Sequence, residues 1–190
     1  MDAPLFLLLV GLASGAPAAD AAQIRLEGLD GRSVVALPGA AGATTVFVFV
    51  STDCPIANRY APELRRIHDR FAREARFWLV YADPAETPEA VRRHAEAFGY
   101  GFAALRDPHH DLVRLAGARV TPEAAVFVAG ADGPRLVYRG RIDDRNVDFG
   151  RTRPAPTTHD LEDVLRAIAS GTAGTLRTTP AVGCAIPPLE

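Results

Sequence analysis

The chain of 190 residues contains two cysteines, Cys54 and Cys184, and these are its clearest candidates for covalent chemistry. Cys54 comes shortly after the β-branched and aromatic run Thr44–Val50, and Pro55 follows it directly. A thiol at the start of a helix lies against the positive end of the helix dipole, which lowers its pKa and favours the reactive thiolate. Proline suits the first turn of such a helix because it has no N–H to leave unpaired. The pattern predicts a nucleophilic sulfur at Cys54, and an inert buried cysteine is the alternative interpretation.

Cys184 lies in a tail rich in threonine and proline, far from Cys54 in the sequence. In an exported protein, two cysteines commonly form a disulfide. A structural bridge would constrain the unfolded chain, whereas a catalytic Cys184 would be a resolving thiol that attacks an oxidised or mixed-disulfide form of Cys54. Two unrelated thiols are the third interpretation, because the distance between the cysteines cannot be read from the sequence.

The composition is that of an ordinary globular protein, with 48% hydrophobic and 23% charged residues. A chain of this length can bury a sizeable core without depending on disulfides. The formal net charge is -2, so the sequence shows no basic footprint for nucleic acid and we expect no nucleic-acid partner.

Residues 1–22 differ in composition from the rest of the chain. Leu5–Leu12 form an apolar run that is too short to cross a bilayer, and small residues follow it in Ala13–Ala22. This pattern is typical of a secretory signal peptide, which would place the protein in the periplasm or outside the cell. Because Asp2 precedes the apolar run and no basic residue does, a disordered leader on a cytoplasmic protein is the alternative. We expect residues 23–190 to form one domain, with no stable membrane insertion once the leader is removed.

Beyond the leader, the pattern alternates between strands and helices. Short β-branched or apolar runs predict strands, and amphipathic segments with capping residues predict helices. The predicted strands are Ile24–Glu27, Ser33–Leu37, Thr44–Val50, Arg76–Tyr81, Phe102–Leu105, Ala124–Val128 and Leu136–Tyr138. The predicted helices are Pro62–Ala75, Pro88–Phe98, His109–Ala116 and Asp160–Ala169, with Thr87 and Thr158 as N-caps of the second and the last. This order predicts an α/β domain whose sheet has a parallel portion and an antiparallel edge.

A threonine–proline pair similar to that of thioredoxin folds stands at Thr121 and Pro122, just before the strand Ala124–Val128. In those folds the proline is cis and packs against the active-site cysteine. With this motif and this order of elements, the chain resembles the thioredoxin-like redoxins of the alkyl hydroperoxide reductase and thiol-specific antioxidant group. A closer resemblance, to the peroxiredoxin-like proteins of unassigned activity called redoxin-domain proteins, is carried by Asp53–Tyr60, Leu136–Arg145 and Thr179–Ile186.

The resemblance spans roughly residues 23–188. It implies a thioredoxin-like fold, in which a mixed sheet is flanked by helices and carries an N-terminal β-hairpin and an irregular C-terminal tail. It also implies that Thr121 and Pro122 border Cys54 and that the proline is cis.

The chain departs from two motifs of these families. Ala57 stands where thioredoxins have their second cysteine, so dithiol exchange within the Cys54 loop is impossible. Ser51 fills the hydroxyl position of the peroxiredoxin motif, three residues before the cysteine, but Phe47 stands in place of its proline.

A peroxide substrate would also need an arginine beside the thiolate to polarise the O–O bond. Arg139 and Arg141 are both candidates, and their spacing does not select between them. Since the Cys54 loop has no local partner thiol, a reversible cycle needs a remote or an external one. We therefore expect Cys184 to lie close enough to Cys54 to form a disulfide in the oxidised protein.

The resemblance implies a thiol-dependent oxidoreductase with Cys54 as nucleophile and Cys184 as resolving thiol. Its substrate would be a peroxide or a protein disulfide, and its thiol reductant is not identified by the sequence. The alternative from another class is a non-catalytic redoxin module that binds a partner protein or a metal ion. The sequence has no Cys-x-x-Cys or His-x-x-x-His spacing, so we expect no metal site and no cofactor.

Overall fold

A computed structural model describes residues 24–37, 39–172 and 174–189 of the chain. The leader predicted at residues 1–22 lies outside the described residues. The strands are β1 (Arg25–Gly28), β2 (Ser33–Val35), β3 (Thr44–Val50), β4 (Ala75–Tyr81), β5 (Ala104–Arg106), β6 (Val120–Thr121), β7 (Glu123–Gly130), β8 (Gly133–Gly140), β9 (Asn146–Asp148), β10 (Arg151–Thr152), β11 (Arg177–Thr178) and β12 (Cys184–Ala185). The helices are α1 (Pro55–Arg59), α2 (Ala61–Phe71), α3 (Pro88–Ala97), α4 (Asp111–Ala116) and α5 (Asp160–Ala169). In the part of the chain that the structure describes, no helix combines the length and the apolar character needed to span a membrane.

Eight strands form one mixed sheet in the order β11-β8-β7-β3-β4-β5-β1-β2. β3, β4 and β5 are parallel to one another, and β7 pairs antiparallel with both β3 and β8. The β1–β2 hairpin joins the other edge by pairing antiparallel with β5. The predicted α/β sheet, with its parallel portion, its antiparallel edge and its N-terminal hairpin, is confirmed.

β3 lies in the middle of the core, and all seven of its residues are buried. Val46, Val48 and Val50 belong to one half of the core, together with side chains of α1, α2 and α5. Phe47 and Phe49 belong to the other half, together with side chains of α4 and of the hairpin. The two halves alternate along β3 because successive side chains of a strand point to opposite faces. The continuous apolar run in the sequence is therefore that of a strand buried on both faces.

Two local predictions are confirmed near the ends of elements. The peptide bond between Thr121 and Pro122 is cis. Thr87 caps α3, since its hydroxyl oxygen accepts a hydrogen bond from the backbone N–H of Ala90 at 3.2 Å.

The predicted N-cap Thr158 is wrong. α5 begins after His159, which makes no capping bond with its side chain. The Thr158 hydroxyl donates instead to the Asp160 carboxylate at 2.9 Å. That carboxylate is buried and also pairs with Arg141 and Arg177, so it is a stronger acceptor that draws the hydroxyl away from the helix end.

The C-terminal tail is more ordered than the irregular tail that the sequence predicts. β11 extends the main sheet beside β8, and β12 pairs antiparallel with β6. Each of these tail strands has two residues. A segment this short cannot display a hydrophobic period, so the sequence gives no signal for it.

The central position of Phe47 gives a test of this core. Its ring is fully buried and packs edge-to-face on Phe127, with ring centroids 5.8 Å apart. Replacing a buried phenylalanine by alanine removes its transfer free energy and leaves a cavity, so Phe47→Ala should lower the free energy of unfolding by about 3–5 kcal/mol. Urea unfolding followed by circular dichroism measures the change.

The matched control is Val35→Ala on the edge strand β2, where the side chain is 46% exposed. It should change the free energy of unfolding by about 0.5 kcal/mol or less. Equal losses in the two variants would contradict the placement of Phe47 at the centre of the core.

Candidate functional site

Cys54 lies at the N-terminus of α1, as its sequence context predicts. It is the N-cap residue, and its Sγ accepts a hydrogen bond from the backbone N–H of Ala57 at 3.4 Å. Pro55 follows as the first residue of the helix. The residue that replaces the second thioredoxin cysteine therefore contributes its backbone amide, rather than a thiol, to Cys54.

Thr121 contacts Cys54 from the opposite side of the site. The Cys54 thiol donates a hydrogen bond to the Thr121 carbonyl oxygen, with 3.0 Å between Sγ and O. The contact is buried, since Cys54 is 1% exposed and Thr121 is 3% exposed. The Thr121 hydroxyl is also buried and has no hydrogen-bond partner among the described residues. It is thus free to donate to the sulfur when Cys54 is ionised.

The C-terminal tail brings Cys184 to the same place. β12 pairs with β6 so that Cys184 lies directly opposite Thr121 and Ala185 lies opposite Val120. The side chain of Cys184 packs against the part of the core that contains Cys54. Both cysteines are free thiols in this structure. The structure therefore brings both cysteines to Thr121, while a disulfide between them stays a prediction.

Gly183 allows the tail to approach this closely. A Cβ atom added at Gly183 would overlap the carbonyl group of Thr121, the residue that also contacts Cys54. A second close approach occurs at Gly140, where φ is +155° and a Cβ atom would overlap Thr179 of the tail. The tail therefore docks on positions where only glycine leaves room for its backbone.

The surroundings of the two thiols shift their pKa values in opposite directions. Burial raises the pKa of Cys54, but hydrogen bonds from Cys184, from the Thr121 side chain and from backbone N–H groups outweigh it and hold this pKa below its ordinary value. Burial and the neighbouring Cys54 raise the pKa of Cys184 to about 11. The first negative charge in the pair is therefore carried by Cys54.

The remaining predicted residues have other contacts. The Ser51 hydroxyl accepts a hydrogen bond from the Asp53 backbone N–H at 3.4 Å, within the turn that leads to Cys54. Arg139 lies 3.6 Å from the Glu123 carboxylate and donates to a backbone carbonyl at 2.8 Å. Arg141 pairs with the Asp160 carboxylate at 2.8 Å. Each guanidinium group is thus paired with a carboxylate.

The sequence analysis does not find a group of buried and half-buried polar side chains behind the Cys54 turn. Glu86 accepts a hydrogen bond from the backbone N–H of Thr52 at 2.5 Å, and Asn58 donates to the Thr52 carbonyl at 3.2 Å. His94 bridges Asn58 and the Tyr81 hydroxyl at 2.8 Å each. The position of Glu86 in the chain could have indicated its place near Cys54. Glu86 follows β4 and Cys54 follows β3, and the ends of these two parallel strands lie side by side.

The comparison with protein families matches residues 17–134 to the AhpC/TSA family, which is more than half of the chain. The chain belongs to the AhpC/TSA family. No curated protein matches it.

Solved structures resemble this AhpC/TSA chain at low sequence identity. An uncharacterized conserved protein from Geobacillus kaustophilus is 25% identical, with a TM-score of 0.70 over 85% of this chain and 86% of that chain. A secreted Mycobacterium tuberculosis disulfide oxidoreductase homologous to E. coli DsbE is 17% identical, with a TM-score of 0.53 over 80% and 98%. An uncharacterized thioredoxin-like protein from Porphyromonas gingivalis is 18% identical, with a TM-score of 0.55 over 77% and 90%. These likenesses confirm the thioredoxin-like fold.

A metal site is poorly supported in this AhpC/TSA chain. Among the described residues, one group of potential ligands converges closely enough for a metal ion, namely Glu63, His159 and Glu162, and it includes neither cysteine. The Glu162 carboxylate is already paired with three cations, Arg66, Arg70 and Arg166. Arginine cannot ligate a metal and opposes a second cation there, so this donor set does not suit one.

Gly183 offers a direct test of the tail contact. In Gly183→Ala the new methyl group collides with the Thr121 carbonyl, so β12 moves away and Cys184 leaves Cys54. A displacement of about 1 Å should slow disulfide formation between the cysteines by roughly a hundredfold. Mass spectrometry of the alkylated, non-reduced protein measures the rate after addition of oxidised dithiothreitol.

Gly174→Ala is the matched control, because Gly174 also lies in the tail and a Cβ atom there has open space. This variant should oxidise at the wild-type rate. Wild-type oxidation of Gly183→Ala would show that the β12 contact does not govern the distance between the thiols.

Proposed function

We propose that this AhpC/TSA-family protein is a thiol–disulfide oxidoreductase whose redox pair is Cys54 and Cys184. The proposal depends on one observation, the meeting of both cysteines at Thr121, whose carbonyl oxygen accepts from Cys54 and which lies directly opposite Cys184 in the strand pairing. Cys54 is the nucleophile, since its environment favours the thiolate. Cys184 is the resolving thiol, supplied by the tail in place of the second cysteine of a Cys-x-x-Cys loop.

The reaction begins when the Cys54 thiolate attacks one sulfur of a substrate disulfide. A bond forms between Cys54 and that sulfur, the substrate S–S bond breaks, and the other sulfur leaves with the electron pair and takes up a proton. The Cys184 thiolate then attacks Cys54 Sγ, and the second substrate thiol leaves. The substrate gains two electrons and two protons, and the protein is left with a Cys54–Cys184 disulfide. A separate thiol reductant restores the pair.

The electrostatics of the pair suit this order of steps. Burial and the adjacent Cys54 keep Cys184 protonated in the reduced protein. Once Cys54 is part of a mixed disulfide it carries no negative charge, so its contribution to the raised pKa of Cys184 disappears. Cys184 therefore becomes easier to ionise at the stage when it must attack.

Substrate access requires the tail to move, because Cys54 is 1% exposed. The strand that covers it, β12, pairs with β6 through two residues, and one further backbone bond joins Ile186 to Arg119 at 3.0 Å. Displacing this short segment breaks few hydrogen bonds, so its cost is small compared with unfolding the domain.

Several contacts support a disulfide rather than a peroxide as the substrate. Arg139 and Arg141, the candidates for polarising an O–O bond, are paired with Glu123 and Asp160. Phe47, which stands in place of the peroxiredoxin proline, lies in the half of the core opposite Cys54.

Export through residues 1–22 is part of this proposal. The apolar run Leu5–Leu12 followed by small residues supports a signal peptide. One structural neighbour is described as a secreted disulfide oxidoreductase. An oxidising compartment would supply the disulfides on which the proposed pair acts.

The pH dependence of alkylation tests whether Cys54 is activated. Because its folded pKa is lowered, the rate with iodoacetamide should show an inflection below about 8.5, the value of a free thiol. Cys184 should react only at higher pH, consistent with its pKa of about 11. Mass spectrometry of the two cysteine-containing peptides separates the two profiles. An inflection at or above 8.5 for Cys54 would favour a non-catalytic module that binds a partner.

Two single-thiol variants test the roles of the cysteines with oxidised glutathione as probe. Cys184→Ser should stop at a mixed disulfide that carries one glutathione, since the resolving thiol is missing. Cys54→Ser should react at least about a hundredfold more slowly, since Cys184 is largely protonated at neutral pH. The wild-type protein should form the internal disulfide and release glutathione.

Hydrogen peroxide is the comparison probe for the same three proteins. Oxidation of Cys54 by peroxide much faster than by oxidised glutathione, or completion of the cycle by Cys184→Ser, would contradict the disulfide assignment. Circular dichroism checks that each variant keeps the fold.

A further inference from the structure

The buried and half-buried polar side chains behind the Cys54 turn hold one peptide unit from both sides. We use the name Thr52 latch for Glu86, Asn58, His94 and Tyr81. Glu86 binds the N–H of Thr52 at 2.5 Å, and Asn58 binds its carbonyl at 3.2 Å. His94 fixes the Asn58 amide through a 2.8 Å bond and is itself held by the Tyr81 hydroxyl at 2.8 Å. The latch thus joins the turn before Cys54 to β4, to α3 and to the loop between them.

The turn has weak hydrogen bonds of its own. The Asp53 N–H reaches the Ser51 hydroxyl at 3.4 Å, and the Cys54 N–H reaches the Ser51 carbonyl at 3.4 Å. Both separations are beyond the usual range for N–H···O bonds. The latch bonds at Thr52 are shorter, so the position of the turn, and of the cysteine that ends it, depends more on the latch than on the turn itself.

Glu86 is the unusual member of the latch. It is 7% exposed, and its Oε2 has no hydrogen-bond partner among the described residues. Burial raises the pKa of Glu86, and the hydrogen bond from the Thr52 N–H counteracts this only in part. Burying a carboxyl group with one unpaired oxygen lowers the stability of the folded protein, so such a group calls for an explanation.

Charged and titratable groups face the latch from the loop after β4, from β4 itself, from the Cys54 turn and from β5. Asp83, in the same loop, adds to the raised pKa of Glu86. Tyr81 of β4 faces Glu86 and Tyr100. Burial lowers the pKa of His94, which Asp53 of the turn opposes. Arg106 of β5 approaches the loop but is paired with Glu27 at 2.8 Å.

We propose that Glu86 is a positioning residue that sets the reactivity of Cys54 by holding the Thr52 peptide. The inference rests on the proposed role of Cys54 as nucleophile and deepens it. When the latch is closed, Cys54 Sγ is aligned with the Ala57 N–H, with Thr121 and with Cys184. When it is open, the turn shifts and these hydrogen bonds to sulfur, which stabilise the thiolate, lengthen together. An ionised Glu86 also binds the Thr52 N–H more strongly than its neutral acid does.

The test is the alkylation of Cys54 by iodoacetamide across pH, read by mass spectrometry of its peptide. Glu86→Ala removes the bond to Thr52 and should slow alkylation at pH 7 by about tenfold, which corresponds to a rise of about one unit in the pKa of Cys54. Glu86→Gln keeps an oxygen acceptor for the Thr52 N–H and should restore the rate to within about threefold of wild type.

Asn58→Ala opens the latch from the carbonyl side and should slow alkylation in the same direction. Glu89→Ala is the matched control, since this carboxylate lies exposed on α3, pairs with Arg92 and is outside the latch. It should leave the profile unchanged. The assay needs no disulfide substrate, so its result is independent of whether the protein catalyses disulfide exchange.

Wild-type rates in both Glu86→Ala and Asn58→Ala, with the fold intact by circular dichroism, would overturn the proposal. If Glu86→Ala fails to fold, Asn58→Ala decides. A wild-type alkylation rate in that variant would overturn the proposal, and a slower rate would support it.

Discussion

The backbone of Thr121 is the support on which both cysteines depend. Its carbonyl oxygen accepts the hydrogen bond from Cys54, and its place in β6 puts it directly opposite Cys184 in the pairing with β12. Because one residue contacts both thiols, the separation of the sulfurs is set by the pairing of two strands and by the turn before Pro122. Gly183 completes the arrangement, since a side chain at that position would occupy the space of the Thr121 carbonyl.

The position of the turn that contains Thr121 is fixed by the sheet. Phe49 near the end of β3 lies opposite Glu123 at the start of β7, so the segments that hold Cys54 and Thr121 leave the sheet side by side. The buried Glu123 carboxylate closes the turn by accepting the backbone N–H of Arg119 at 2.7 Å. Arg139 lies 3.6 Å from this carboxylate. The arginine that the sequence suggested for substrate chemistry therefore stabilises a charged residue beneath the site.

The sequence predicts the parts of this site that depend on local pattern. The apolar run of β3 and the proline after Cys54 signal their structure within a few residues, and the family resemblance implies the cis bond before Pro122; all three are confirmed. The tail contact and the Thr52 latch could not be predicted in the same way. β12 has two residues, and its pairing depends on distant Gly183 fitting against Thr121. The latch draws Glu86, Asn58 and His94 from three separate segments, and only the packed fold shows that their hydrogen bonds meet at one peptide unit.

The placement of the second thiol on the tail changes what the redox pair requires. In a Cys-x-x-Cys loop the two thiols are neighbours in sequence, so they remain close even in an unfolded chain. Cys54 and Cys184 meet only when β12 is docked, and closing a loop of this length by chance costs the unfolded chain about 4–5 kcal/mol on the loop-entropy model. By linkage, folding favours the disulfide by a comparable amount, reduced by any strain in the bond. In the proposed mechanism, docking of the tail therefore both creates the pair and helps to determine its reduction potential, while the proposed latch behind Cys54 acts on the reactivity of one thiol alone.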